Sequence, residues 1–104
     1  MRELHHIGIP TAVPHKNEIY LEGAKLYVTD VTKSPNKIEW LRFEKGSPLP
    51  DLLKTSTHIA YTVKDLKAAM AGKKVLMKPF SPGPGLTVAF VIEEGIPIEF
   101  MKEG

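Results

Sequence analysis

Two short stretches of this sequence occur twice, in the same order. HHIGI (5–9) is echoed by THIAY (57–61): a histidine, an isoleucine, a small residue, then an apolar or aromatic one. KIEWLR (37–42) is echoed by PIEFMK (97–102): isoleucine, glutamate, an aromatic, a long apolar residue, then a base. A repeat constrains a fold strongly, because each copy supplies one supersecondary unit and the copies share a core. Each half opens on a histidine strand and closes on a glutamate strand. The 104 residues then form one domain, 1–104, built from a first unit, 1–48, and a second, 55–104. A chain of this length buries about two-thirds of its unfolded surface, so it needs no covalent or metal staple to fold.

Alternating polarity predicts strands over 3–9, 24–31, 37–45, 57–63, 74–80, 86–93 and 96–102. Pro10 and Pro14 break the chain after the first strand, and the polar segment 11–23 holds at most one helical turn. The turn KSPN (33–36) folds the next two strands into a hairpin, and 46–56 reads as a linker with a brief helix. The best helix is 64–74, with Asp65 as N-cap, Leu66, Ala69 and Met70 as an apolar stripe, and Gly72 closing it. SPGPG (81–85) reads as a tight loop; with no helix after it, it lacks the geometry that cradles phosphate. Trp40 and Phe100 occupy matching repeat positions and read as core.

Side chains on a strand alternate between faces with period 2. On that count Leu4, His6 and Gly8 face one way, and His5, Ile7 and Ile9 the other. His58 shares a face with Ala60 and Thr62, opposite Ile59, Tyr61 and Val63. Glu39 opposes Ile38 and Trp40, and Glu99 opposes Ile98 and Phe100. Every one of these polar residues avoids the face carrying the apolar bulk, and the histidines have small same-face neighbours that leave room beside them. A single strand histidine is ordinarily a hydrogen-bonded structural residue, and a single glutamate is ordinarily solvated. Four at matching positions point instead to a shared site of His6, Glu39, His58 and Glu99. Imidazole nitrogen and carboxylate oxygen suit a divalent transition metal, Zn²⁺, Ni²⁺, Co²⁺, Mn²⁺ or Fe²⁺, with positions left for water or substrate. Such histidines must be neutral, so metal affinity is expected to fall below about pH 6. His5, on the Ile7/Ile9 face, is the weaker candidate of the doublet.

Composition narrows the remaining classes. The absence of cysteine removes disulfides, thiolate ligands and thiol nucleophiles. A net charge of +2, with lysines interspersed among acids and no basic stripe of interleaved aromatics, gives no footprint for nucleic acid. No apolar run nears the roughly 20 residues of a membrane span. MRELHHIGIP has no long apolar core of a signal peptide, so no membrane partner and a cytoplasmic location are expected.

The same residues resemble the vicinal oxygen chelate superfamily, which includes glyoxalase I, methylmalonyl-CoA epimerase, extradiol dioxygenases and bleomycin-resistance proteins. THIAYTVKDLKAAMAG and SPGPGLTVAFVIEEGIPIEFMK resemble that family's second unit, IEWLRFEKGSPLPDLL the end of its first unit and the link, and HHIGI its opening strand. The resemblance spans roughly 4–10 and 37–102. It implies an α+β fold in which two βαβββ-type units form a cupped mixed sheet, with the metal in the cup. The ligands come from the first and last strands of each unit: His6, Glu39, His58 and Glu99 by position. The first unit departs from the pattern, since the segment after Ile9 is too short and proline-broken for a full helix. That helix is expected to be missing or truncated. No extra catalytic carboxylate falls on the second strand, where Lys25, Tyr27 and Thr29 alternate.

The activity implied is that of a metal-dependent lyase or isomerase of glyoxalase or epimerase type. Its small substrate would chelate the metal through two oxygens and react through an enolate-like intermediate, with Glu99 as the base and Glu39 as the alternative. Family members also include non-catalytic small-molecule-binding proteins of the resistance type, and a trimmed first unit suits a regulatory module. Pairing into a homodimer is a further expectation of the resemblance.

Overall fold

β-Branched and aromatic residues recur through the strands of both halves, and the strands pair into a single sheet. The computed structural model describes residues 1–104. Its strands are β1 (Arg2–Pro10), β2 (Ile19–Leu21), β3 (Leu26–Val28), β4 (Ile38–Phe43), β5 (His58–Val63), β6 (Lys74–Gly83), β7 (Leu86–Glu93) and β8 (Ile96–Glu103). Two short helices, α1 (Asp51–Thr55) and α2 (Leu66–Met70), flank β5 in the sequence. The sheet order is β2-β3-β4-β1-β5-β8-β7-β6, so each half has the same internal order and the sequence repeat is a repeat in space. In each half the first and last strands are parallel neighbours, β1 with β4 and β5 with β8. The halves join through the antiparallel pair β1–β5. The four strands bearing the repeated motifs are therefore the four central ones. This is the α+β fold of two βαβββ-type units in a cupped mixed sheet, with the first helix missing.

The outer face of the second half is an apolar core. Ala89, Val91, Ile98 and Phe100 are buried there beneath Leu66 of α2, with Ile59, Tyr61, Ala69 and Met70 packed around them. The Asp65 carboxylate accepts from Ala68 N at 3.0 Å and starts the helix. Ala71 leaves helical geometry and Gly72 takes φ +73°, so α2 is shorter than the predicted 64–74. The turn joining β7 to β8 has positive φ at both Glu94 and Gly95, which matches the twist of a two-residue hairpin.

The outer face of the first half has no helix, and a polar and aromatic layer takes its place. The His15 ring stacks on Trp40 with centroids 4.9 Å apart. Arg42 donates twice to Glu18, at 2.7 and 3.0 Å, and its guanidinium lies 4.1 Å from the centre of the Tyr27 ring. Tyr20 packs on Tyr27 and donates to Glu44 at 2.6 Å. The segment expected to hold at most a helical turn thus supplies strand β2 and a 3-10 turn at Glu22–Ala24. Trp40, read as core, is only half-buried under His15, whereas Phe100 is fully buried.

On the concave face, Leu26, Val28 and Leu41 form one apolar patch, covered by Leu49 from the linker, and Ala60, Val88 and Met101 form another. SPGPG is not one loop: β6 runs through Ser81–Gly83, and only Pro84–Gly85 turns. Pro79 and Pro82 are tolerated because β6 is an edge strand with a broken register, where missing N–H groups cost no interior ladder bond. No helix is long and apolar enough to cross a membrane.

The two outer faces should respond differently to mutation. Leu66→Ala is expected to destabilise the fold by about 2–4 kcal/mol at any salt concentration. Glu18→Gln is expected to cost less, with a loss that shrinks in 1 M salt. Thermal melts at low and high ionic strength test this; a Glu18→Gln effect unchanged by salt would mean packing, not charge, holds the first layer.

Candidate metal centre

Strand register builds the site. Across the centre of the concave face, one row reads Glu39 on β4, Gly8 on β1 and His58 on β5. The next row reads His6 on β1, Ala60 on β5 and Glu99 on β8. Each row has a long side chain at both ends and a small residue between, so four long side chains lean over two gaps. Gly8 is indispensable to this packing: a Cβ there would collide with the His58 ring. The room that small neighbours leave beside the histidines is thus filled by the site's own side chains.

The convergence is close. His6 Nε2 lies 3.4 Å from Glu39 Oε1 and 3.5 Å from Glu99 Oε1, and His58 Nε2 lies 3.2 Å from Glu99 Oε1. One ligand atom from each of His6, Glu39 and His58 lies within 4.8 Å of the others. His6 and His58 are 3% and 1% exposed. His6 Nε2 and both ring nitrogens of His58 are buried without a hydrogen-bond partner, so the carboxylate contacts are ion-pair contacts without hydrogen-bond geometry. Buried imidazole nitrogens are costly to leave unpaired. Ligand atoms about 2.1 Å from one ion stand roughly 3.0–3.4 Å apart at adjacent corners of an octahedron or tetrahedron. The contacts of 3.2–3.5 Å lie at or close to that range, and the His6, Glu39 and His58 ligand atoms stay within 4.8 Å of one another, so these residues fit a divalent metal, with Glu99 against both imidazoles. Phe90, opposite Glu99 in the register, walls the site with its ring edge-on to His58.

The electrostatics favour a cation at the centre. Burial opposes charge on His6, but its contacts with Glu39 and Glu99 outweigh burial and raise its pKa to about 9. Burial likewise pushes Glu99 up, and its contacts with His58 and His6 outweigh that, holding it near 2. The affinity threshold near pH 6 expected from an ordinary histidine is therefore displaced upward, since a proton shared with two carboxylates is harder to remove.

His5 does not sit opposite His6. The register between β1 and β5 slips between Leu4 and His6, a β-bulge at His5. It turns Leu4 onto the Tyr61 face, contrary to simple alternation, and brings His5 Nδ1 to 2.8 Å from His6 Nδ1. Nothing in the letters HH marks a bulge, so this contact was not readable from the sequence. Tyr27 and Thr29 are engaged elsewhere: Tyr27 faces outward under Arg42, and Thr29 Oγ1 accepts from Trp40 N.

Site and sheet together define a cupped, mixed eight-stranded α+β fold with a candidate metal centre at its middle. No protein-family model matches the sequence, and no curated protein does. Among solved structures, a hypothetical protein from Bacillus halodurans is similar, with a TM-score of 0.71 and 19% identity over 99% of this chain and 95% of that one. Methylmalonyl-CoA epimerase from Mycobacterium tuberculosis is similar with a TM-score of 0.62 and 17% identity, over 97% of this chain and 87% of that one. At these identities the likeness shows a shared fold and nothing beyond it.

Two outcomes are expected. A metal and a proton compete for His6 Nε2, so apparent Zn²⁺ affinity should rise about tenfold per pH unit between 7 and 9 and then level off. Over the same range the metal-free protein should lose stability, because a raised histidine pKa stabilises the fold below about pH 6.5 and that contribution fades as pH approaches 9. Calorimetric titrations across pH check both, and pH-independent binding would indicate surface sites. Gly8→Ala should push the His58 ring aside, destabilise the fold by about 1–3 kcal/mol and lower Zn²⁺ affinity at least tenfold; unchanged affinity would show that His58 is not a ligand.

Proposed function

We propose that this protein is a metal-dependent lyase or isomerase of glyoxalase or epimerase type, acting on a small substrate that presents two oxygens. The observation that carries the reading is the buried convergence of two imidazoles and a carboxylate, with a second carboxylate against both rings, on the four central strands of the cup. A divalent transition metal held by His6, Glu39, His58 and Glu99 would supply Lewis acidity toward a substrate oxygen. The likeness to a methylmalonyl-CoA epimerase supports chemistry at the carbon next to a carbonyl, as that enzyme's substrate requires.

The two carboxylates divide the work. Glu99 lies against both imidazoles and its pKa is held near 2, which suits a fixed ligand and makes it a weak base. Glu39 touches His6 alone, and its side chain is 21% exposed against 12% for Glu99. These differences support Glu39, the alternative base of the sequence reading, as the group that carries the substrate proton. The apolar patches around Leu41 and Met101 flank the polar centre and would exclude water from it. Exposed Ile19, Tyr20 and Leu21 on edge strand β2 are consistent with pairing into a homodimer.

Metal content per chain, by plasma mass spectrometry on untagged protein, is the first test. About one transition metal per chain is expected. Deuterium exchange at the carbon next to the carbonyl of small 2-oxo acids and acyl thioesters, followed by NMR, then tests the chemistry. Glu39→Gln should cut exchange about 10²-fold or more even at metal concentrations that restore full loading, and Glu99→Gln should weaken metal binding more than Glu39→Gln does. No metal after incubation with Zn²⁺, Ni²⁺, Co²⁺ and Mn²⁺ would overturn the enzyme reading in favour of a binding or regulatory module.

A further inference from the structure

We infer that His5 is a positioning residue for the metal centre: its Nδ1 accepts a hydrogen bond from His6 Nδ1–H and so turns the lone pair of His6 Nε2 toward Glu39, Glu99 and the shared ion. The inference rests on the metal reading proposed above and adds a residue to it.

Two observations meet here. The first is the contact, 2.8 Å between the two Nδ1 atoms with the rings edge to face. The second is the bulge. Adjacent strand residues ordinarily point to opposite faces, so a regular β1 would hold the two rings on opposite sides of the sheet. The slip between Leu4 and His6 interrupts the ladder with β5, and in doing so brings the His5 ring against the His6 ring.

The direction of the hydrogen bond follows from the chemistry. His6 Nε2 faces the two carboxylates, and to ligate it must carry a lone pair, so the ring proton must sit on Nδ1. A ligating histidine commonly donates that second N–H to a carboxylate or carbonyl, which fixes tautomer and ring orientation. No such oxygen is bonded to His6 Nδ1; its partner is His5 Nδ1. His5 then carries its own proton on Nε2, and as a half-buried ring it can direct that N–H toward solvent. A neutral imidazole acceptor orients His6 without adding negative charge to a centre that already holds two carboxylates.

The test compares His5→Phe, which keeps a ring but offers no acceptor, with His5→Asn, whose Oδ1 can replace the Nδ1 lone pair. Zn²⁺ affinity should fall about 10- to 100-fold in His5→Phe and return to within a few-fold of the parent in His5→Asn, with both variants folded by circular dichroism. In the Zn²⁺-loaded parent, nitrogen-15 NMR should find His6 Nδ1 protonated, with a scalar coupling to His5 Nδ1 across the hydrogen bond. A structural role alone would favour Phe over Asn and produce no such coupling. Zn²⁺ binding in His5→Phe equal to the parent, or equal losses in Phe and Asn, would overturn the role of His5 and leave the metal reading intact. A parent protein that binds no Zn²⁺ would overturn both.

Discussion

The structure turns on one packing constraint: four long polar side chains must meet over two strands without forcing the backbones apart. Gly8 and Ala60 meet it. Each lies between two site residues in a register row, and each leaves the volume into which its neighbours lean. The arrangement also needs β1 and β5 side by side and antiparallel, because only then do the two rows interlock. The joint between the repeats and the site are thus the same structural feature. A change that loosens the joint would loosen the site, and a larger residue at position 8 would do both at once.

Around that centre the halves are held by different forces. The second half buries Phe100, Val91 and Ile98 beneath a capped helical turn, and hydrophobic burial is not screened by salt as ion pairs are. The first half has no helix and relies on stacked and charged groups, His15 on Trp40 and Arg42 between Glu18 and Tyr27. Ion pairs at a part-buried surface contribute modestly, so the layer holds through its aromatic stems as much as its charges. The concave face compensates: Leu26, Val28 and Leu41 are sealed by Leu49, and Ser47 Oγ donates to Ala24 O at 2.6 Å, fastening the linker to the rim. The first half is stabilised from inside the cup, where the second is stabilised from outside.

What was legible in the sequence was what periodicity and repetition encode. The strands, the Asp65 cap, the two-unit architecture and the absence of the first helix all follow from side-chain patterns and proline positions. The face shared by His6, Glu39, His58 and Glu99 follows from parity. Parity failed at one place, the bulge at His5, because a single-residue insertion in one strand depends on the partner's register and leaves no local signal. The path of β2 was hidden for a similar reason. Ile19, Tyr20 and Leu21 become a strand only because Tyr27 and Arg42 offer a surface to lie along. The extension of β6 through Pro79 and Pro82 was masked by residues that ordinarily end strands and are tolerated at a sheet edge.

The bulge bears on how such a centre can be oriented at all. A ligand histidine on a central strand has its backbone consumed by the ladder, so the usual route of donating to a nearby carbonyl is closed. The two carboxylates of the cluster are engaged on the Nε2 side of His6. An acceptor must therefore come from β1 itself or its neighbours, and the immediately preceding residue reaches only if the strand breaks its alternation. His5 supplies the acceptor and the bulge supplies the reach. The local loss of ladder pairing between Leu4 and His6 thus accompanies a direct contact between adjacent imidazoles that regular alternation would keep on opposite faces.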